Sequence, residues 1–419
     1  MKIVVVGVGY VGLVSAVGFA SLGHEVIGVD VDDKKVEGLN RGVLPIYEEG
    51  LQSLVDATRE KKLLRFSCNV REVLPGADVC FICVGTPPKE NGEADVSFVE
   101  AAVAHVAEAK DTTTILVIKS TVPVGTCRRL QASSNPEFLR EGKAVSDFLH
   151  PDRIVMGVLD EYARSQLLNL YASFACPKVV MTPESSELTK YAANGFLATK
   201  ISFINEIANV CDLVGANVRE VAQGIGLDPR IGSQFLKAGL GYGGSCFPKD
   251  TRALHQIAGS HDYDFRLLGA VIDTNREQRA RFVGKVFKGT SPGDVLAVWG
   301  LAFKAGTDDM RESAAVEIIE TVLEKGYSVR VYDPLVKTLP GMQKWSDRIT
   351  IASNALDTTD GADALLVLTE WPEFREVDFN EVKHRMKMPK IFDGRNLLAD
   401  LELEKYGFAY VGVGLGKRT

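Results

Sequence analysis

The sequence predicts an α/β protein with two Rossmann-like, doubly wound domains joined by a central helical domain. Strand and helix signals alternate over the first third of the chain, a helical pattern fills the middle, and a second alternation starts near Asp294. A chain of 419 residues is too long for one core, and the changes of pattern put the boundaries at 1–183, 184–288 and 289–419.

The first alternation opens on Lys2-Ile3-Val4-Val5-Val6-Gly7, passes through an Ala/Gly/Val-rich helix from Val11, and reaches a second strand at Glu25–Asp30. Strands are expected at Ala77–Val84 and Thr113–Lys119, with a helix at Ser97–Ala109 between them. Each strand is a continuous apolar run, as parallel strands covered on both faces require. From Glu184 to Val221, Leu188, Tyr191, Ala192, Gly195, Leu197, Ile201 and Ile204 recur at helical spacing. After the glycine-rich Gly239–Gly244, a second helical stretch runs from Leu254 to Phe287. The last alternation has strands at Asp294–Gly300, Ser328–Asp333 and Ala364–Leu368. One connection is too short. A βαβ crossover takes at least about 10 to 12 residues, yet only Cys127–Ser134 separate Gly125-Thr126 from Asn135-Pro136. Either the crossover is abbreviated or residues are missing there, and missing residues are the expectation.

Hydrophobic content of 46% with 25% charged residues describes an ordinary folded protein, and a formal charge of -7 argues against non-specific nucleic-acid binding. Met1–Val6 reads as a strand and not as a secretion signal, and no apolar run reaches the ~18 residues of a membrane span. A cytoplasmic location is expected, with no membrane partner. Seven cysteines are an odd number in mostly apolar contexts, so free thiols are expected. Cys80 and Cys83 have the spacing of half a zinc site but no second ligand pair, so no metal is expected.

Gly7-Val8-Gly9-Tyr10-Val11-Gly12 follows a strand and opens a helix, the context in which this glycine spacing binds a dinucleotide. Gly7 makes the tight turn, Gly9 lets the backbone approach a pyrophosphate, and Gly12 lets the helix pack closely. Asp30 ends the second strand, where a carboxylate accepts from a ribose and repels a 2′-phosphate, so NAD is the expected cofactor. Lys35 is a further candidate, with an exposed helix lysine as the alternative. Gly85-Thr86 and Ser120-Thr121 follow strand ends and are expected near the cofactor, although Gly, Thr and Pro also favour turns.

In Gly241-Tyr242-Gly243-Gly244-Ser245-Cys246-Phe247-Pro248-Lys249-Asp250, glycines leave the Cys246 thiol accessible and Lys249 supplies positive charge. On these residues alone, a nucleophile and a structural cysteine are both admissible. The segment resembles the signature of the UDP-glucose dehydrogenase family, within the UDP-glucose/GDP-mannose dehydrogenase superfamily. So do Asn135-Pro136-Glu137-Phe138-Leu139-Arg140-Glu141-Gly142, the Lys190–Asn194 helix, Gly300-Leu301-Ala302-Phe303-Lys304 and Thr307–Ser313, in the family's order over nearly the whole chain.

The resemblance implies two successive oxidations of UDP-glucose to UDP-glucuronate, consuming two NAD⁺. It implies Cys246 as nucleophile, Lys190 and Asn194 as oxyanion stabilisers on one helix face, Asp250 as the residue activating water, and Glu141, Glu137 and Thr121 as further catalytic residues. By the same resemblance Tyr10, Val11, Glu141, Lys249 and Arg311 lie at the cofactor. Phe138, Leu139, Lys190, Asn194, Arg230, Phe235, Tyr242, Gly243, Cys246, Phe303, Lys304 and Arg395 are then expected at the substrate. In the family the arginine matching Arg230 reaches the adjacent subunit's site, which implies a homodimer through the central helices. The chain departs from the family pattern at Glu49, Gly195 and Ala314, none at the reacting centre. A GDP-mannose 6-dehydrogenase and a non-catalytic NAD-binding regulator are the competing readings.

Overall fold

Eight strands build the first sheet, in the N-terminal region: β1 (Lys2–Val6), β2 (Glu25–Val29), β3 (Leu64–Ser67), β4 (Val79–Ile82), β5 (Ile115–Ile118), β6 (Ser133–Ser134), β7 (Ile154–Gly157) and β8 (Lys178–Met181). Their order is β3-β2-β1-β4-β5-β6-β7-β8, parallel throughout except where β6 meets β7. The computed structural model describes residues 1–416, so the end of the expected C-terminal domain lies outside the described residues. Six parallel strands form the second sheet: β9 (Val295–Trp299), β10 (Ser328–Tyr332), β11 (Ile349–Ile351), β12 (Ala364–Val367), β13 (Lys390–Asp393) and β14 (Ala409–Val411). They run β11-β10-β9-β12-β13-β14, so both sheets carry the doubly wound order outward from their first strand.

By contact the chain falls into two units, Met1–Ala193 with Gln256–Asp262, and Asn194–His255 with Tyr263 onward. In the first, β1 and β4 bury their apolar runs on both faces, Val5 and Phe81 against one cluster and Val4 and Ile82 against another. In the second, the side chains of β9 divide likewise between two clusters.

The helical middle differs in detail from the expectation. Pro183–Val214 is one helix of 32 residues. It stops before Gly215, at φ +81, and Asn217 caps a separate helix, Val218–Gly226. The stretch expected from Leu254 is two helices, Phe247–Gly259 and Arg266–Gly289. The earlier start places Cys246 directly ahead of a helix.

The short connection before Asn135 forms an abbreviated crossover. Thr126–Arg129 is a four-residue helix, and β6 still pairs parallel with β5 through Val117–Ser133 and Ile118–Ser134. The first turns of the helix Pro183–Val214 replace what a full crossover helix would supply. Glu187 accepts from the amides of Gly125 at 2.6 Å and Cys127 at 2.7 Å, Ser186 bonds Ser134 at 2.9 Å, and Glu184 pairs with Arg128.

Candidate active site

At the head of the first sheet, the glycines answer to specific contacts. Gly7 has φ +89, and a Cβ on it would lie 2.8 Å from Val84 Cγ1. A Cβ on Gly12 would lie 1.8 Å from the Gly7 carbonyl oxygen, so no other residue lets this helix start so close to the strand. Gly9 has nothing within 4 Å of its would-be Cβ, which leaves the approach to the helix N-terminus open. Asp30 accepts from the Val8 amide at 3.1 Å, the Asp32 amide at 3.1 Å and Lys35 Nζ at 2.9 Å, and its side chain stays 10% exposed. An open glycine turn with an accessible carboxylate beyond it fits the pyrophosphate and ribose of NAD. Tyr10 follows the turn, with its hydroxyl donating to buried Glu48. Burial first, and Glu48 second, hold that phenol protonated. Glu48 also accepts from the amides of Gly142 at 2.8 Å and Ala144 at 2.7 Å, which fixes the chain after half-buried Glu141. At the neighbouring strand ends, Thr86 Oγ1 donates to the Thr121 carbonyl at 2.9 Å and Ser120 Oγ to the Val84 carbonyl at 2.6 Å.

The same unit holds a buried ion pair: Lys190 Nζ donates to Glu137 Oε1 at 2.8 Å, with both side chains under a tenth exposed. Glu137 Oε2 accepts from the Leu139 amide at 2.6 Å. Burial pushes the Glu137 carboxyl up, but Lys190, the Leu139 amide and Lys119 together hold it below the ordinary carboxylate range. Phe138 lies beside the pair, with Lys190 Nζ 5.4 Å from its ring centre and the Arg153 guanidinium at 3.6 Å.

In the second unit, half-buried Cys246 precedes the first turn of Phe247–Gly259, where the positive helix end favours a thiolate. Ser245 Oγ lies 3.5 Å from the sulfur. One turn on, Asp250 is 1% exposed; one of its oxygens pairs with Lys249 and the other accepts from Asn194 Nδ2 at 2.6 Å. The loop ahead of the cysteine is held by its backbone. Asn275 bonds both the amide and the carbonyl of Tyr242 at 2.8 and 3.1 Å, Arg279 reaches the same carbonyl at 2.9 Å, and Gln278 reaches that of Gly239 at 3.0 Å. Gly243 and Gly244 admit no side chain, since a Cβ would meet the Glu312 carbonyl at 2.4 Å and the Phe303 ring at 2.7 Å.

Three family models match in sequence: the NAD binding domain of the UDP-glucose/GDP-mannose dehydrogenase family over residues 1–175, its central domain over 184–277, and its UDP binding domain over 297–400. The chain belongs to the UDP-glucose/GDP-mannose dehydrogenase family. Within it, the UDP-glucose 6-dehydrogenase TuaD of Bacillus subtilis is 43% identical, covering 99% of this chain and 93% of the relative. The UDP-glucose 6-dehydrogenase of Rhizobium meliloti is 44% identical, covering 99% of each. A solved UDP-glucose dehydrogenase from Pyrobaculum islandicum superposes with TM-score 0.89 at 38% identity, covering 99% of this chain and 97% of that one. The two relatives align over 430 and 437 positions against 419 residues, so both carry residues with no counterpart here.

Against the family resemblance, the structure brings Glu137, Phe138, Leu139 and Lys190 together in the first unit, and Asn194, Cys246, Lys249 and Asp250 in the second. Tyr242 is buried against the Phe247 ring, and Phe235 is held at φ +64 with its ring 6.1 Å from that of Phe247. Arg395 donates to the carbonyls of Leu368 at 2.8 Å and Phe303 at 3.0 Å and lies 3.3 Å from Glu370, tying the Phe303-Lys304 segment to the sheet. Lys304 stands 5.4 Å from the centre of the Phe303 ring. Arg230 and Arg311 are exposed and bond Asp228 and Asp309 within their own turns. Sequence reasoning missed the clamp of Asn275, Gln278 and Arg279. Its signal is three polar residues at i, i+3 and i+4 on a helix, a spacing that puts them on one face.

Proposed function

We propose that this chain is a UDP-glucose 6-dehydrogenase that carries UDP-glucose to UDP-glucuronate through a thioester on Cys246. The observation that carries the reading is Cys246 at a helix N-terminus with Asp250 one turn behind it, in a chain whose first sheet ends in an open dinucleotide turn. NAD⁺, when bound there, supplies the hydride acceptor.

The C6 alcohol gives up a hydride as its hydroxyl proton passes to a base, leaving an aldehyde. Such an aldehyde has no transferable hydride until a nucleophile adds, so the Cys246 thiolate bonds to the carbonyl carbon and forms a thiohemiacetal. The thiohemiacetal hydroxyl gives up its proton to a base as its carbon loses a second hydride, which a second NAD⁺ would accept, and the thioester results. Asp250 takes one proton from the attacking water, the C–S bond breaks to release the thiolate, and the product acid gives its remaining proton to solvent and leaves as a carboxylate. Lys190 and Asn194 stabilise the oxygen as it becomes an oxyanion. Glu137 holds Lys190 in place, while Glu141 and Thr121 complete the acid-base set. Lys304, Arg395 and a partner copy's Arg230 oppose the diphosphate. The boundaries at residues 183 and 288 separate three roles, with the cofactor held by the first domain, the dimer contact and the nucleophile by the second, and UDP by the third.

The dimer reading rests on the helix Pro183–Val214, which exposes Phe196, Phe203 and Val210 at seven-residue spacing. A second copy covering this stripe is the occupant, and sedimentation velocity should find a dimer that Phe203→Asp dissociates. Seven free cysteines fit a reducing cytoplasm, and among the described residues no helix is long and apolar enough to cross a membrane.

The deciding experiment counts NADH per sugar nucleotide. UDP-glucose should give two equivalents and GDP-mannose none, and the opposite result transfers the reading to a GDP-mannose enzyme. Cys246→Ser should lose the complete oxidation while the first hydride transfer persists, and Asp250→Asn should accumulate a uronyl adduct seen by intact-protein mass spectrometry. A Cys246 variant that makes UDP-glucuronate at the parent rate defeats the mechanism.

A further inference from the structure

Lys119 has no part in the chemistry above, and stability does not explain it. It follows β5 and is 6% exposed. Its hydrogen bonds go to both oxygens of Asn135, Oδ1 at 3.0 Å and the carbonyl at 3.4 Å. A buried ammonium bonded to an amide and not to a carboxylate is expensive, and an apolar side chain of the same length would fold at lower cost. Asn135 is fully engaged around it. Its amide nitrogen Nδ2 donates to the Val155 carbonyl at 2.8 Å, its backbone N–H to the Ile118 carbonyl at 2.9 Å, and its Oδ1 also accepts from Tyr171 at 2.6 Å.

Two residues further on is Glu137, the carboxylate that holds Lys190. The titratable groups facing Lys119 are Cys83 at the end of β4, Tyr171, Glu137 and Lys190. Burial pushes the Cys83 thiol up to about 12 and holds the Tyr171 phenol protonated, so neither carries charge near neutral pH. Burial also lowers the Lys119 ammonium; the Glu137 carboxylate opposes that shift and Lys190 adds to it. One buried carboxylate thus answers to two lysines, bonding Lys190 and feeling Lys119 through its charge.

We propose that Lys119 is a positioning residue for the Glu137–Lys190 pair. Through Asn135 it fixes the chain that carries Glu137, and its ammonium is the second positive charge that keeps Glu137 ionised. An ionised Glu137 is the countercharge that the buried Lys190 ammonium needs. The inference rests on the oxidation reading above, because that reading gives Lys190 its oxyanion to stabilise.

The test compares full-length Lys119→Met and Lys119→Arg with the parent in two readouts, kcat against pH for the complete oxidation and the thermal midpoint against pH. The methionine variant should keep or raise the midpoint at neutral pH, because a desolvated charge is gone. Its kcat should fall about tenfold with KM for UDP-glucose nearly unchanged, and the acid limb of its profile should rise by about one pH unit. Lys119→Arg, which restores the charge, should return the limb toward the parent's position.

The second readout needs no turnover. Glu137 is held below its unfolded value, so its stabilisation is present above that value and lost as pH falls through the folded one. With Lys119 removed the folded value rises toward the unfolded one, so the acid loss of midpoint that Glu137 contributes should be smaller and should end at higher pH. A methionine variant that fails to fold, or one whose acid limb and acid midpoint both match the parent's, makes Lys119 a packing residue and overturns the proposal. A parent that yields no NADH from UDP-glucose defeats the function reading instead, and the midpoint comparison still decides the role of Lys119.

Discussion

In the first sheet Gly7, at φ +89, donates its N–H to the Val29 carbonyl at 2.7 Å; in the second, Gly300, at φ +94, donates to Tyr332 at 2.8 Å. Each glycine ends the first strand of its sheet, and each second strand is followed by an aspartate, Asp30 or Asp333. There the likeness stops. Asp333 accepts from the amides of Leu301, Ala302, Leu335 and Val336 and from the Trp371 indole, at 2.8 to 3.1 Å, and is 1% exposed. A carboxylate offers about four lone-pair sites, so Asp333 is saturated by its own domain. Asp30 takes two amides and one lysine and keeps an accessible edge. The same topology therefore makes a ribose acceptor in one sheet and a structural hub in the other, and what decides is whether neighbouring donors close on the acid.

The largest effect should come from disrupting that hub. Asp333→Asn puts an amide NH₂ among N–H donors and should cost the second unit about 3 to 5 kcal/mol, read as loss of soluble protein or as a lowered unfolding midpoint in tryptophan fluorescence. Asp30→Ala, the matching change in the first sheet, should leave stability within about 1 kcal/mol. It should weaken use of NAD⁺ about tenfold and raise relative tolerance of NADP⁺; unchanged cofactor preference would break the comparison. A milder probe uses the thiols. Burial holds Cys80, Cys83 and Cys127 of the first unit as thiols, and the Asp33 hydrogen bond, more than burial, pushes exposed Cys68 up to about 11. Limiting iodoacetamide at pH 7 should therefore label Cys246 before any of them, as peptide mapping would show. The smallest effect belongs to Gly195→Ala. A Cβ there meets Leu254 Cδ2 at 3.4 Å, an ordinary contact, and the helix should gain about 1 kcal/mol with activity unchanged.

What the sequence made legible follows from what has a period. Continuous apolar runs located β1, β2, β4, β5, β9 and β12, and the glycine spacing located the dinucleotide turn, because burial and backbone approach leave a mark at fixed intervals. Short strands such as β6, with two serines, have no such mark. The role of Asp333, the bond between Lys119 and Asn135, and the Asn275 clamp are pairings between distant side chains and backbone, which no local spacing encodes. The helix start at Phe247 leaves no periodic mark, and it carries Pro248, a residue tolerated in the first turn of a helix. Glu137 and Lys190 were found only because the family resemblance singled them out, since a surface carboxylate and a surface lysine look the same in sequence.

The shortened crossover also bears on how the first sheet assembles. Residues 119–132 join β5 to β6, a connection at the short end of what a βαβ crossover takes. Loop-closure entropy grows with length, and parallel pairing is ordinarily what makes α/β domains slow to nucleate. Here a parallel pair is almost local. It gives the chain a cheap first long-range contact from which β4 and β7 can zip in either direction, and pulsed hydrogen exchange should find the amides of Ile118 and Asn135 among the earliest protected.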